Sequence, residues 1–377
     1  MLPKPHRPDY LLSIVVFILV VFGLIMVSSA SVVQSFENTG DTYYYFKHQL
    51  IWGVIFGMIA MFVFSRISYD RYKKLGAVML VTTFILLILV LIFGRELGGS
   101  RSWIFIGSFS FQPTEFVKLL FVLYLAVWLE KRHAKLTSFR EGFLPFLVLL
   151  AAIAVLVALQ PDLGTLSVIL LTAVIVYFVA GGALKHIVAL IVMSGAGLFG
   201  LIKMFPHAAT RFTAFLHPEL DPQGIGYQIN QALLAIGSGG IIGLGLGNSR
   251  QKFNYLPEAS GDSIFAIIGE ELGFIWAVLL ILLFVFVAYR GFQIARHTDD
   301  LFGKLVAVGI TSWIVFQAFI NLAGILNLIP FTGIPLPFIS YGGSSMLATL
   351  IAVGILLNIS RYTKEPGKVS TRRRRLA

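Results

Sequence analysis

No cysteine occurs in the 377 residues, which excludes disulfides, thiol nucleophiles and thiolate metal sites. Charge is scarce as well: Asp, Glu, Lys and Arg make up 12% of the chain, and only 18 residues are acids. The seven histidines are scattered with no HExxH or comparable spacing, so a dedicated protein metal site is not expected. Neither a Walker A loop nor a dinucleotide fingerprint is present, which argues against a pump driven by its own ATPase domain, and short solenoid repeats are lacking.

Apolar residues fill the space that these absences leave. The chain is 57% hydrophobic with 33 Phe, more than a soluble core buries, and apolar runs of roughly 20 residues recur from end to end. Hydrocarbon offers no water to satisfy backbone groups, so runs of this length must be helices, whereas a β-barrel would show short alternating segments. The expected fold is therefore an all-α polytopic membrane protein. About ten transmembrane helices fall near 11–33, 46–65, 75–94, 114–129, 143–159, 162–180, 185–202, 263–289, 303–326 and 342–360. A large outer loop, 203–262, joins the seventh and eighth. Lys4 and Arg7 before the first span, with Ser28 and Ala30 after it, mimic a signal peptide, but the apolar stretch is too long and reads as an uncleaved anchor.

Orientation follows from the 29 Lys and Arg residues. With the N-terminus in the cytoplasm, about 21 of them lie in cytoplasmic segments and about seven outside. This places residues 1–10 and the basic tail 361–377 in the cytoplasm, with 11–360 as the membrane domain. The net charge of +11 then calls for no nucleic acid: the run Arg372 to Arg375 has anionic lipid headgroups as its natural counterion, or is simply a solvated tail.

Chemistry concentrates between Gly226 and Gly273, where glycines, amides, Arg250, Lys252 and the acids Asp262, Glu270 and Glu271 crowd into a greasy chain. Ionisable groups beside membrane segments need partners, water or a task. In the expected topology the fourth, sixth, eighth and tenth spans start at the outer face, at Gln112-Pro113-Thr114-Glu115, Gln160-Pro161-Asp162, Gly261-Asp262-Ser263 and Tyr341-Gly342-Gly343-Ser344-Ser345. Singly, each is ordinary helix-start chemistry. Together, four positive helix ends aimed at one region make an anion site, with Arg101, Lys118, Arg250 and Lys252 as available cations. The inferred ligand is anionic and amphiphilic, as a lipid-linked pyrophosphate would be.

A helical wheel puts Ala266, Gly269 and Gly273 on the face of Asp262, a small-residue groove with room for a substrate. Glu270 and Glu271 point elsewhere and read as interhelical or supporting groups. Lys118, three residues after Glu115, is read equally as its ion-pair partner or as a substrate contact. Residues 227–236 suit a short interfacial or re-entrant helix, and the glycines after it suit either a flexible link or a mobile flap over a cleft.

The segments GSRSWIFIGSFSFQPTE (99–115), QPDLGT (160–165), GYQINQALLAIGSGG (226–240), GLGNSRQKFNYLPE (245–258), IIGEELG (267–273) and PLPFISYGGSS (335–345) resemble the SEDS family of peptidoglycan glycosyltransferases, in family order along nearly the whole membrane domain. GLGNSRQK and the MVSSAS end of the first span are more similar to FtsW, the division enzyme, than to RodA, the elongation enzyme. The resemblance implies polymerisation of lipid II into glycan strands at the outer face of the cytoplasmic membrane. A flippase for the same lipid, or a non-catalytic scaffold of the wall-synthesis complex, is the alternative. The family's essential acid falls on Asp262, in a Gly261-Asp262-Ser263 triplet where the family usually has a TDF-like one, and Trp276 stands where a small residue is usual. Asp262 is thus the expected catalytic base, with Arg101, Glu115, Lys118, Asp162, Lys252, Ser344 and Ser345 as substrate-binding candidates and Glu270 and Glu271 behind them. The resemblance further implies a divalent cation, Mg or Mn, carried largely by the substrate phosphates, and a class B penicillin-binding protein transpeptidase as partner.

Overall fold

The computed structural model describes residues 5–97, 100–106, 109–204, 206–221 and 223–363; the tail beyond Thr363 and the first four residues lie outside the described residues. The helices that set the architecture are α1 (Tyr10–Ala30), α2 (Val32–Thr39), α3 (Tyr44–Arg66), α4 (Gly76–Phe93), α5 (Pro113–Arg132), α6 (Phe139–Ala158), α7 (Leu163–Val179) and α8 (Leu184–Met204). They continue as α9 (Pro206–Leu216), α10 (Ile225–Gly239), α11 (Ile264–His297), α12 (Leu301–Ile325) and α13 (Gly343–Ser360). Eight described helices are long and apolar enough to cross a bilayer. Of the other two expected spans, α7 is apolar but 17 residues long, and α5 carries Glu115 and Lys118 near one end and Glu130, Lys131 and Arg132 at the other.

These ten helices fall where apolar runs were read, because a residue's preference for hydrocarbon over water is a local property of its side chain. Two of them form the centre: 83% of the apolar stretch of α12, and of α13, is buried, against 12% for α8 at the periphery. Small residues make that density possible. Gly354 on α13 lies so near the main chain of Met61 on α3 that a methyl group there would strike its carbonyl. The expected helical fold also carries a small antiparallel sheet between α4 and α5, in which Ser100–Ile106 pairs with Arg95–Leu97 on one side and Phe109–Phe111 on the other. At the opposite end of the bundle Asp9 caps α1 through Leu12 N at 3.0 Å and accepts from Arg290 Nη2 at 2.6 Å.

The helix α11 is 34 residues long but is broken at Gly273, with φ 79° and ψ −175°. The break is satisfied by the glycine-rich segment that follows α10. Leu244 N and Gly245 N donate to the carbonyls of Glu270 and Glu271 at 3.0 and 2.9 Å, and Phe274 N donates to Gly240 O at 2.9 Å. The freed backbone groups therefore find partners in protein, as an interrupted membrane helix requires. Only glycine tolerates this φ, and a Cβ at 273 would run into Gly243 N and Ile241 O. Gly273→Ala is expected to cost at least about 1–3 kcal/mol in strain before the clash is counted. A thermal midpoint in detergent equal to wild type would show that the break is not held by this glycine.

The small-residue face of α11 differs from expectation. Ala266 and Gly269 are buried, and Gly269 packs against Ile236 while Gly239 abuts its carbonyl. The groove is filled by α10 and is not open to substrate, because two small-residue surfaces bury most area by closing on each other.

Candidate active site

Asp262 stands one residue before Ser263, the residue that precedes α11, in a turn outside the span. Ser263 makes no side-chain cap for the helix. Its hydroxyl donates to Asp262 Oδ1 at 3.3 Å and accepts from Gln228 Nε2 at 2.9 Å; the same amide reaches Asp262 Oδ1 at 3.3 Å. Gln228 is delivered by the first turn of α10. The Asp262 carbonyl accepts from Asn321 Nδ2 of α12 at 2.7 Å. One face of the carboxylate is closed by Gly333, where φ is +72° and a built Cβ would lie 3.3 Å from Asp262 Oδ2 and 3.8 Å from Arg211 Nη2. Glycine at 333 thus lets a carboxylate and a guanidinium approach the same piece of main chain.

Arg211, on α9, donates to Thr332 O at 3.2 Å. Burial lowers its pKa from the ordinary arginine value, and the negative charges of Asp162 and Asp262 oppose that shift. Burial, followed by the like charge of Glu258, pushes the Asp262 carboxyl up to about 7, while the Ser263 hydroxyl and Arg211 pull it down. A carboxyl poised there exchanges a proton readily near neutral pH.

The four helix starts converge on the connection between α12 and α13. Gln112 N, just before α5, donates to Ser344 Oγ in the first turn of α13 at 3.2 Å. At the start of α7, Asp162 caps Thr165 N at 2.9 Å, and Gly164 abuts Ile334 and Thr332. Ahead of α11, Ser260 O accepts from Tyr341 N at 2.8 Å. Ahead of α13, Gly342 N donates to Gln49 Oε1 at 3.0 Å. Residues 332–344 are the keystone that gathers all four ends.

Other expected residues take internal partners. Lys118 Nζ lies 2.7 Å from Glu115 Oε1 and 2.7 Å from Gln317 Oε1, with the two charged side chains 2% and 1% exposed. Of the two readings of Lys118, the ion pair is the one this geometry holds, and both side chains are buried. Lys252, expected to meet a pyrophosphate, instead binds Glu271 Oε1 at 2.9 Å, Gly247 O at 2.6 Å and Ser29 Oγ at 3.2 Å. The physical reason is common to both: a desolvated ammonium is stabilised by the nearest carboxylate. Glu270 accepts from Ser249 Oγ at 2.5 Å and Arg250 N at 2.9 Å, so Glu270 and Glu271 together tie the 245–252 loop to α11. Arg101 is exposed on the small sheet, its backbone N donating to Gln160 O at 3.0 Å and its Nη1 to Leu91 O at 3.3 Å. Asp162 accepts from Ser102 Oγ at 3.2 Å, while Ser344 and Ser345 are buried in the first turn of α13.

Sequence reasoning gave no role to Arg211, Asn321 or Gly333. Arg211 belongs to a segment with no strong pattern, and only the fold carries it to Asp262. Asn321 had a legible signal, since it lies four residues after Gln317 in an apolar span.

Comparisons with known proteins show what the chain as a whole is similar to. Residues 9–365 match the family profile described as "Cell cycle protein", which groups FtsW, RodA and SpoVE. The chain is 46% identical over 366 residues to Stage V sporulation protein E of Bacillus subtilis (strain 168), covering 97% of this chain and 100% of that relative. It is 39% identical over 374 residues to the probable peptidoglycan glycosyltransferase FtsW of Trichlorobacter lovleyi, covering 96% of each. Among solved structures it is similar to a chain described under "Structural coordination of polymerization and crosslinking by a peptidoglycan synthase complex", with TM-score 0.77, 28% identity and coverage of 94% of this chain and 98% of that one. Rod shape determining protein RodA of Thermus thermophilus gives TM-score 0.69 at 29% identity, over 95% and 98% of the two chains.

Proposed function

Since this chain belongs to the SEDS family, which groups FtsW, RodA and SpoVE, we propose that it is a peptidoglycan glycosyltransferase that polymerises lipid II at the outer face of the cytoplasmic membrane. The observation that carries the reading is the meeting of Asp262, Arg211 and four helix starts on one short connection. Lipid II offers what such a site selects: an anionic pyrophosphate for the helix ends, a lipid tail for the bilayer and sugar hydroxyls for a base.

In this scheme an acceptor sugar hydroxyl attacks the anomeric carbon of the donor. The new oxygen–carbon bond forms as the bond from that carbon to the pyrophosphate oxygen breaks, and the hydroxyl proton passes to Asp262. The leaving pyrophosphate takes the bonding electrons and is stabilised by Arg211, by the helix starts and by Arg101 at the rim. Among the described residues no group of three His, Asp or Glu could hold a metal, so a divalent cation would enter on the substrate phosphates. The relative described as part of a peptidoglycan synthase complex supports a class B penicillin-binding protein as the partner that crosslinks the product.

Purified full-length protein supplied with lipid II, with and without a cognate transpeptidase, tests the reading through the appearance of glycan polymer. Movement of lipid II across sealed vesicles with no polymer would replace the enzyme by a transporter, and activity of the partner unaffected by any of these side chains would leave only a scaffold. The pH profile is a second test. Only the carboxylate accepts a proton, so kcat/KM should rise about tenfold per pH unit up to about 7 and level off above it. Glu258→Gln removes a like charge and should move that limb to lower pH. A profile unchanged by Glu258→Gln would take Glu258 out of the field acting on the base.

A further inference from the structure

Trp313, Gln317 and Asn321 are spaced four residues apart on α12 and form one polar stripe inside the most buried part of the bundle. The base-and-anion scheme uses none of them, yet polar groups in this setting are costly unless they bond to something. What they bond to is specific. Gln317 Oε1 accepts from both Lys118 Nζ at 2.7 Å and Trp313 Nε1 at 2.8 Å. That fixes the amide so that its Nε2 donates to Pro335 O at 3.0 Å. One turn on, Asn321 Nδ2 donates to two carbonyls, Asp262 O at 2.7 Å and Ile334 O at 2.8 Å. Two carbonyl acceptors admit only the donor end of the amide. Its other end, Oδ1, is buried without a protein partner. An amide kept in the core with one end unsatisfied is held for what the other end does, because an apolar residue of similar size would avoid that penalty.

The three carbonyls held by the stripe belong to the catalytic turn and to the connection carrying Gly333, the glycine against which Asp262 and Arg211 both rest. We propose that Gln317 and Asn321 are positioning residues: they fix where the Asp262 carboxylate stands by clamping the main chain of Asp262, Ile334 and Pro335, with the Lys118–Glu115 pair as the anchor of the clamp. The inference rests on Asp262 being the base. It gives the buried ion pair a task that needs no contact with substrate.

The test compares full-length wild type, Asn321→Asp, Asn321→Leu, Gln317→Glu and Asp262→Asn in lipid II polymerisation, with kcat, KM and the thermal midpoint in detergent measured for each. Asn321→Asp replaces two donors by acceptors facing carbonyls. Gln317→Glu keeps both acceptor contacts to Lys118 and Trp313 but turns the donor to Pro335 into an acceptor and adds a buried carboxylate beside the Lys118–Glu115 pair, whereas Asn321→Leu removes its donors without burying a charge. Displacement of a catalytic group by about 1 Å costs up to about 100-fold, so kcat should fall about 10- to 100-fold in the Asn321 variants and Gln317→Glu, with KM within about twofold in each variant that folds. Should the two carboxylate variants fail to fold, Asn321→Leu decides alone, since it buries no charge and removes the unsatisfied Oδ1. Wild-type kcat in the folded variants, or a loss confined to KM, overturns the clamp. If Asp262→Asn itself polymerises normally, the assignment of the base fails instead, which is a different result.

Discussion

Asn in place of Asp262 is expected to reduce glycan polymerisation by about 10²- to 10⁴-fold, the range that a positioned general base supplies, while the protein folds and binds its substrate. The substitution is nearly isosteric. Asn keeps an oxygen to accept from Gln228 and Ser263, and the backbone carbonyl held by Asn321 is untouched. What disappears is the ability to take a proton near neutral pH. The loss should fall on kcat and not on KM, because the proton moves only in the transition state. Asp262→Glu offers the complementary measurement, since it retains the carboxylate but pushes it toward Gly333 and Arg211 and should recover only a fraction of the rate. Near-normal polymer from Asp262→Asn would mean that another group carries the proton.

The largest stability effect is expected at Lys118→Met. Its removal leaves Glu115 as a carboxylate 1% exposed, one of whose oxygens already lacks a protein partner. Deleting one member of a buried pair costs about 3–5 kcal/mol because an uncompensated charge remains. It also frees Gln317 Oε1 from one of its two donors. The double change Lys118→Met with Glu115→Gln should regain most of the lost stability, since no buried charge is left. Unfolding of the purified proteins in detergent measures both. A single variant as stable as wild type would mean that water reaches the pair, and a double variant no better than the single would mean that the lysine contributes through packing, including its contact over the Trp313 ring at 5.3 Å. Activity separates from stability here: a stable double variant with low kcat would trace the loss to the clamp on α12.

The sequence by itself determined the spans, the polar helix starts and the acid on which the chemistry is proposed to turn. Each is a local property. Whether a run prefers hydrocarbon depends on its own side chains, and Gln160-Pro161-Asp162 signals a helix start wherever it sits. Family resemblance through GLGNSRQKFNYLPE could pick out Asp262 because the acid follows that motif a few residues on in the same stretch of chain. Tertiary structure decided the partners. Lys118 could be read in the chain as an ion pair or a substrate contact and Lys252 as a cation for the substrate, and the two are bound to Glu115 and Glu271, one from the same helix and one from 19 residues away. The glycine face of α11 looked open and is closed by α10, and Arg211, unremarked in its segment, is brought beside Asp262 by the placement of α9. Such choices depend on distance through space, where a desolvated charge settles on whatever opposite charge the packing brings within about 3 Å, and hydropathy along a chain carries no record of that.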